Sequence, residues 1–277
     1  MATATTLTLV TGGTGKTGRR IVQRLQAAGQ PVRIGSRSAT PPFDWNDPDT
    51  WPDALAGVGA VYIAYYPDVA IPGAVDTVRA FVAQAVASGV QRLVLLSGRG
   101  EEEAQRAEQV VRDAGVTWTI LRCSWFMQNF SESFMVDAIR AGELALSAGD
   151  IKEPFIDVED IADVAVAALT QDGHAGQLYE LTGSRLLSFA DAMAEIAQAT
   201  GRDIRYLQLT PQQYTAGMAA EGVPDDFAWL LNYLFTTVLD GRNACLADGV
   251  QRALGREGRD FGGYVRDVAG TSVWRVC

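Results

Sequence analysis

The chain has 277 residues, 48% of them apolar and 20% charged, with 23 Lys+Arg against 33 Asp+Glu for a formal net charge of −10. That apolar share supports a buried core and excludes a disordered chain, and so acidic a balance argues against nucleic-acid phosphates as partners. The cysteines at 123, 245 and 277 form no C-x-x-C pair and His174 is the only histidine, which excludes a disulfide framework and a zinc or His-rich metal site from expectation.

In chain order, Thr6–Thr11 reads as a buried strand, followed by a glycine turn and a helix from about Gly15 to Ala28 that Gly29 stops. Val32–Ser36 is a second strand, Pro48–Leu55 a short helix and Ala60–Tyr65 a further strand. Val75, Val78, Val82 and Val86 recur at helical spacing within Gly73–Ser88, and Gly89 ends that helix. Arg92–Ser97 is another buried strand, Glu101–Ala114 a charged helix ending at Gly115, and Thr117–Cys123 the next strand. Strands and helices alternating over short connections predict an α/β fold, a doubly wound parallel sheet of the Rossmann type.

Beyond it come an extended Pro154–Ile156, a helix at Val158–Leu169, a strand at Gln177–Leu181 and a helix over Ser188–Ala199 with Ser188 as its cap. After an extended Arg205–Leu209 the pattern is mainly helical, with Pro211, Gly222-Val223-Pro224 and Gly241 as breakers. The expected organisation is a dinucleotide-binding domain over 1–184 and a smaller, mainly helical lobe over 185–277 that covers the substrate. Parts of 128–157 are candidates for the same lobe. His174 sits in the turn-like Gln171–Gly176 and is expected to be a solvated loop residue. No run approaches the roughly 18 apolar residues of a membrane span. The first six residues lack the basic start of a signal peptide, so a cytoplasmic location is expected, with no membrane partner.

Thr11-Gly12-Gly13-Thr14-Gly15-Lys16-Thr17-Gly18 joins the first strand to the first helix. Read from Gly13 it is G-x-G-x-x-G, and its place at a strand–helix turn is what gives the pattern meaning. The first glycines allow a tight turn, Gly15 lets the backbone approach a pyrophosphate, and Gly18 lets the helix pack on the strand. A triphosphate-binding G-x-x-x-x-G-K-[ST] loop would need glycine at position 10, where Val10 stands inside the strand. The second strand ends in Gly35-Ser36-Arg37-Ser38, a cation between two hydroxyls with no carboxylate. An acid there would bind the ribose hydroxyl of NAD, whereas Arg recognises the 2′-phosphate, so NADP(H) is the predicted cofactor. Arg33, inside the strand, reads as structural.

The Tyr-x-x-x-Lys pair that serves many short-chain reductases as an acid is absent, since the helix at 101–108 has neither residue. Ketone reduction, which develops an alkoxide, is therefore poorly served. An iminium carbon needs no proton, and quinones or conjugated enones can use a weaker donor. Tyr65 and Tyr66, after the strand at 60–65, and Ser97, at the end of the strand at 92–97, are the candidate catalytic residues. Cofactor contacts are expected from Gly12, Thr14, Gly15, Lys16, Thr17, Gly18, Ser36, Arg37, Ser38, Tyr65, Ser97 and Cys123. Cys123 is not read as a nucleophile, because no histidine lies near it. Trp125, Phe126 and Met127, with Phe227 and Trp229, are candidates for the wall of a flat, hydrophobic substrate pocket, core packing being the alternative for the first three.

These motifs together resemble the NmrA-like branch of the atypical short-chain dehydrogenase/reductases, and within it the ergot-alkaloid group of festuclavine and agroclavine dehydrogenases. The resemblance is carried by Gly12–Gly18, Gly35–Ser38, Phe43-Asp44-Trp45, Asp49-Thr50-Trp51, Leu95-Leu96-Ser97, Leu121-Arg122, Trp125–Met127 and Asn129. Pro154-Phe155-Ile156, Asp160-Ile161-Ala162, Leu187-Ser188-Phe189, Gly222-Val223-Pro224 and Asp226-Phe227 extend it along the chain. It implies an NADPH-dependent reductase that delivers hydride to a C=N⁺ or activated C=C bond, with Asp44 and Trp45 near the adenine. The chain departs from the family at Ala104, where many members carry Lys, and at Cys123, where proline often follows the strand-end Arg. Three functions stand at this point: reduction of a small hydrophobic molecule, an NADP(H)-binding redox sensor that acts through a protein partner, and, third in order, isomerase or lyase chemistry that uses bound cofactor without net turnover.

Overall fold

The computed structural model describes residues 6–275; residues 1–5 and 276–277, Cys277 among them, lie outside the described residues. The apolar runs become strands β1 (Thr8–Thr11), β2 (Val32–Gly35), β3 (Ala60–Ile63), β4 (Arg92–Gly98) and β5 (Thr117–Cys123). Between them lie α1 (Lys16–Ala27), α2 (Trp51–Leu55), α3 (Ala74–Ala87) and α4 (Glu102–Arg112). The chain continues through α5 (Met135–Ala141), β6 (Glu143–Leu146), α6 (Val158–Thr170), β7 (Gln177–Leu181), α7 (Phe189–Thr200) and β8 (Arg205–Gln208). It ends with α8 (Pro211–Ala220), α9 (Asp225–Tyr233), α10 (Gly249–Leu254) and α11 (Phe261–Ala269).

Six strands form one sheet in the order β2-β1-β3-β4-β5-β7. The pairs β1–β2, β1–β3, β3–β4 and β4–β5 are parallel, which fits strands that are apolar on both faces. The order reverses at β1, whose neighbours β2 and β3 lie on opposite sides, and open α/β sheets bind ligands beyond the strand carboxyl ends at such a switch. The doubly wound Rossmann fold expected from the sequence is therefore present. Among the described residues no helix is long and apolar enough to cross a membrane.

The chain divides into two compact units, 1–123 with 159–180 and 249–256, and 124–158 with 181–248 and 257–277. This division is not one cut at 184: 124–158, which includes the 128–157 stretch expected in part to join the lobe, lies in the second unit, and 249–256 lies in the first. Local packing explains both. Backbone bonds Met127 N→Ile156 O (2.8 Å) and Ile156 N→Trp125 O (2.9 Å) close 124–158 on itself. At Gly249 the backbone runs so close to the Glu180 carbonyl that any Cβ would collide with it, which seats the start of α10 in the first unit.

Each unit has its own core. In the first, Phe81 lies within 5.4, 4.9 and 5.5 Å of Phe43, Trp45 and Trp51, among the apolar residues of β1, β3 and β4. In the second, Phe130, Phe155, Phe189 and Phe261 pack edge-on or tilted, and buried Trp274 donates from Nε1 to the Phe130 carbonyl at 2.7 Å. β6 and β8 form a separate parallel pair there. Ser188 caps α7 through a reciprocal pair of bonds with Asp191.

His174 corrects the expectation of a solvated loop residue. It is buried, its Nδ1 lies 2.9 Å from the Tyr179 hydroxyl, and Thr119 Oγ1 donates to its carbonyl at 2.8 Å. Burial, together with Arg92, lowers the imidazole pKa and favours the neutral ring. Turn chemistry at 171–173 was local information, whereas the burial comes from β5 and β7.

Candidate functional site

The Gly12–Gly18 turn sits between β1 and α1, and its glycines are required by contact. Gly12 has φ +61°, and a Cβ at Gly13 would meet Ile34 Cγ2 and the Val10 carbonyl at 2.9 Å. A Cβ on Gly18 would fall on the Gly12 carbonyl, so this glycine lets α1 approach the turn. The turn is closed by Gly15 N→Gly12 O at 2.8 Å and Gly13 N→Gly35 O at 3.2 Å. Thr11 Oγ1, donating to the Tyr62 carbonyl at 3.0 Å and accepting from Ala64 N at 2.9 Å, ties it to the end of β3. Buried Thr17 accepts from the Tyr62 hydroxyl at 3.1 Å and so belongs to the scaffold.

α1 starts without a side-chain cap, and its first turn contains no acid. Its free N–H groups and positive dipole end therefore remain available to an anion, beside exposed Thr14 and Gly15. At the end of β2, Arg37 and Ser38 are exposed, and Arg37 forms no ion pair among the described residues. Ser36 Oγ lies 3.3 Å from Ser38 Oγ. Arg33, by contrast, donates to the carbonyls of Ala54 (2.8 Å) and Ala56 (2.7 Å) and is structural. These residues fit a dinucleotide whose pyrophosphate meets α1 and whose 2′-phosphate meets Arg37.

The aromatic segment after β2 is held in place. Trp45 is buried and donates from Nε1 to the Ala64 carbonyl at 3.1 Å, with its ring 4.9 Å from Tyr65. Asp44 accepts from Asn46 N at 3.0 Å, and its carbonyl accepts from Trp51 Nε1 at 2.8 Å. Tyr65 is half-buried, whereas Tyr66 is 75% exposed.

A polar network marks the end of β4. Ser97 is buried and donates to Glu108 Oε1 at 2.7 Å. Arg122 grips the same carboxylate at 2.5 and 2.8 Å and reaches Glu180 at 3.1 Å, and Arg99 lies 3.4 Å from Glu180. The carboxylate partners raise the Arg122 pKa, so this guanidinium stays charged and Glu108 is occupied as its counter-ion. Cys123 is buried beside Gly98, with which it pairs in register. Burial pushes its thiol pKa up, and nearby Glu101 pushes it further, so it is held as an inert thiol.

Glu101 escaped the sequence reading. It is buried at the start of α4 but makes no cap bond to that helix, and its Oε2 has no hydrogen-bond partner. Burial raises its pKa well above the carboxylate range, and the nearby acids Asp68 and Glu108 add to the shift. Asp68 is itself raised by burial, while Ala70 N donates to it at 2.8 Å. Its local sequence hides it, because Glu101 stands ahead of the two acids that occupy the helix's first turn and reads as one more solvated acid.

The proposed pocket residues of the second unit have unlike settings. Trp125 is half-buried, edge-on to Phe189 at 5.4 Å and 4.9 Å from Phe235, whereas Met127 is a core side chain. Phe126 is half-buried and bridges through its backbone to Ile156. Phe227 is half-buried, 6.3 Å from Phe134, and Trp229 is 43% exposed and stacks on Tyr233 at 5.4 Å with planes 5° apart.

Comparison with known proteins agrees with this geometry. A family model described as NAD(P)H-binding matches residues 12–172. NAD(P)H azoreductase of Xenophilus azovorans is 32% identical over 280 residues, covering 93% of this chain and 96% of that protein. Agroclavine dehydrogenase of Claviceps fusiformis is 34% identical over 284 residues, covering 96% of this chain and 98% of its own. The NADPH-dependent quinone oxidoreductase of Escherichia coli, solved with NADPH, superposes with a TM-score of 0.77 at 20% identity, over 94% of this chain and 99% of that one, a likeness of fold. With a family match over more than half its length and two relatives above 30% identity, the chain belongs to the NAD(P)H-binding family, among oxidoreductases, and its fold is like that of NmrA.

Proposed function

We propose that this oxidoreductase uses NADPH to reduce an iminium C=N bond, or an activated C=C or quinone bond, in a small hydrophobic molecule. The observation that carries the cofactor choice is Arg37, an exposed cation between two serines at the end of β2, next to an α1 N-terminus free of caps and acids. When bound, the dinucleotide supplies the hydride. The chain's residues bind and orient it: Gly15 and Gly18 admit the phosphates to α1, Arg37 and the serines hold the 2′-phosphate, and Asp44, Trp45 and Tyr65 form the adenine and ribose side.

The acceptor class follows from the polar residues at the sheet edge. Glu108 is occupied by Arg122 and Ser97, and no Tyr-x-x-x-Lys pair stands on α4 to protonate an alkoxide. Acceptors that are already cationic, or that yield a stabilised anion, suit such a site. The relatives support this range, one being named an azoreductase and another an agroclavine dehydrogenase.

The test is NADPH oxidation, followed by absorbance, with a panel of cyclic iminium ions, quinones and enones. Turnover with an iminium or quinone acceptor and none with simple ketones is expected. Tight NADPH binding without oxidation by any acceptor would overturn the reductase assignment in favour of a redox sensor.

A further inference from the structure

The Glu101 carboxyl group is placed unlike that of an ordinary helix-start acid. Residue 101 is the N-cap of α4, where a carboxylate normally accepts the first free N–H groups and faces water. Here the backbone is extended (φ −102°, ψ 113°) and the side chain makes no cap bond. It turns back over β4 instead, and a Cβ placed on Gly98 would fall on the carboxyl group itself. Gly98 pairs in register with Cys123, so the acid lies at the carboxyl ends of adjacent central strands. That edge is where a sheet of this type presents ligands for reaction.

Among the described residues no cation compensates the acid. The charged or titratable groups that act on it are Asp68, from the segment after β3, and Glu108, from α4. Glu101 in turn raises the thiol of Cys123, from β5. Glu108 has Arg122 as counter-ion, but Glu101 Oε2 is buried without a hydrogen-bond partner. A carboxylate in that setting would bear both a desolvation cost and repulsion from two acids, so burial and its neighbours favour the protonated form. A neutral carboxylic acid with no other hydrogen-bond duty is a donor in reserve, and burial is the usual means of raising a carboxyl to serve as a general acid.

We propose that Glu101 is the proton donor for acceptors that become anionic on taking up hydride, such as a quinone. This role rests on the reductase reading above. The quinone takes up hydride, NADPH being oxidised to NADP⁺, and the electron pair left on its oxygen forms a new O–H bond with the Glu101 proton. The Glu101 O–H bond breaks, and the carboxylate is reprotonated from solvent. An iminium acceptor is neutralised by the hydride alone and needs no such donor.

The experiment compares the wild type with Glu101→Gln and Glu101→Asp. Infrared spectra of the wild type near pH 7 should show a protonated carboxyl band that Glu101→Gln removes, while NADPH binding, read by fluorescence, persists. Turnover of the quinone should fall about 100-fold more in Glu101→Gln than turnover of an iminium ion, with partial recovery in Glu101→Asp. Lack of the carboxyl band in the wild type, or an equal loss for both acceptors, overturns the donor role and leaves the reductase standing. Failure of the wild type to oxidise NADPH with either acceptor overturns the reductase reading, and the donor role with it.

Discussion

In the function proposed above, Arg37 carries the choice of dinucleotide on one exposed side chain. It stands at the end of β2 with no ion-pair partner among the described residues, so its removal leaves no buried charge behind and should not disturb the fold. A charge-assisted bond to phosphate contributes about 1.5–3 kcal/mol, so Arg37→Ala should weaken NADPH about 10–100-fold in calorimetric titration. NADH, which lacks the phosphate, should be little affected. Equal loss for both dinucleotides would contradict the assignment. Arg37 was legible in the sequence because its meaning depends on its neighbours and its place after a strand. Glu101 was not, since a glutamate before two more at a helix start reads as a solvated acid. Only the turn of its side chain over Gly98 takes it out of water.

At the level of elements, α1 is held to α6 by charges. Glu159 accepts from Arg20 at 2.5 Å and Arg24 at 2.6 Å, and Arg24 also reaches Asp163 at 2.8 Å. Burial alone would raise the Glu159 pKa, but its bonds to Arg24 and Arg20 outweigh that and lower it. A carboxylate with a depressed folded pKa stabilises above its unfolded pKa of about 4.3, and that contribution is lost as pH falls through the folded value. Glu159→Gln should therefore lower Tm near pH 7, by an amount equivalent to about 1 kcal/mol or less because the pair is partly exposed. The gap to the wild type should close as pH falls through the folded value. A gap that persists unchanged in acid would show that the ion pairs do not hold these helices together. The strands and helices up to Cys123 were readable because apolar runs, helical spacing and stop glycines are local signals. α5 and β6 were missed, since β6 is only four residues long and pairs with β8 some sixty residues later.

For the whole molecule, the proposed function lets a −10 chain bind an anionic dinucleotide through local charge, at the N-terminus of α1 and the guanidinium of Arg37. Its two units, each with an aromatic core, draw on several separate stretches of chain, and local sequence does not show where the chain returns. Gly249 illustrates the limit, an ordinary glycine in the sequence whose role appears only against the Glu180 backbone. The central claim is that the chain passes hydride from NADPH to an unsaturated small molecule. Incubation with NADPH carrying deuterium at both nicotinamide C4 positions, with an iminium or quinone acceptor and mass spectrometry of the product, tests it directly. The account predicts one deuterium in each reduced iminium carbon, and NADP⁺ formed in equal amount to reduced product with either acceptor. Unlabelled iminium product, or bound NADPH that stays unoxidised with every acceptor, would contradict it.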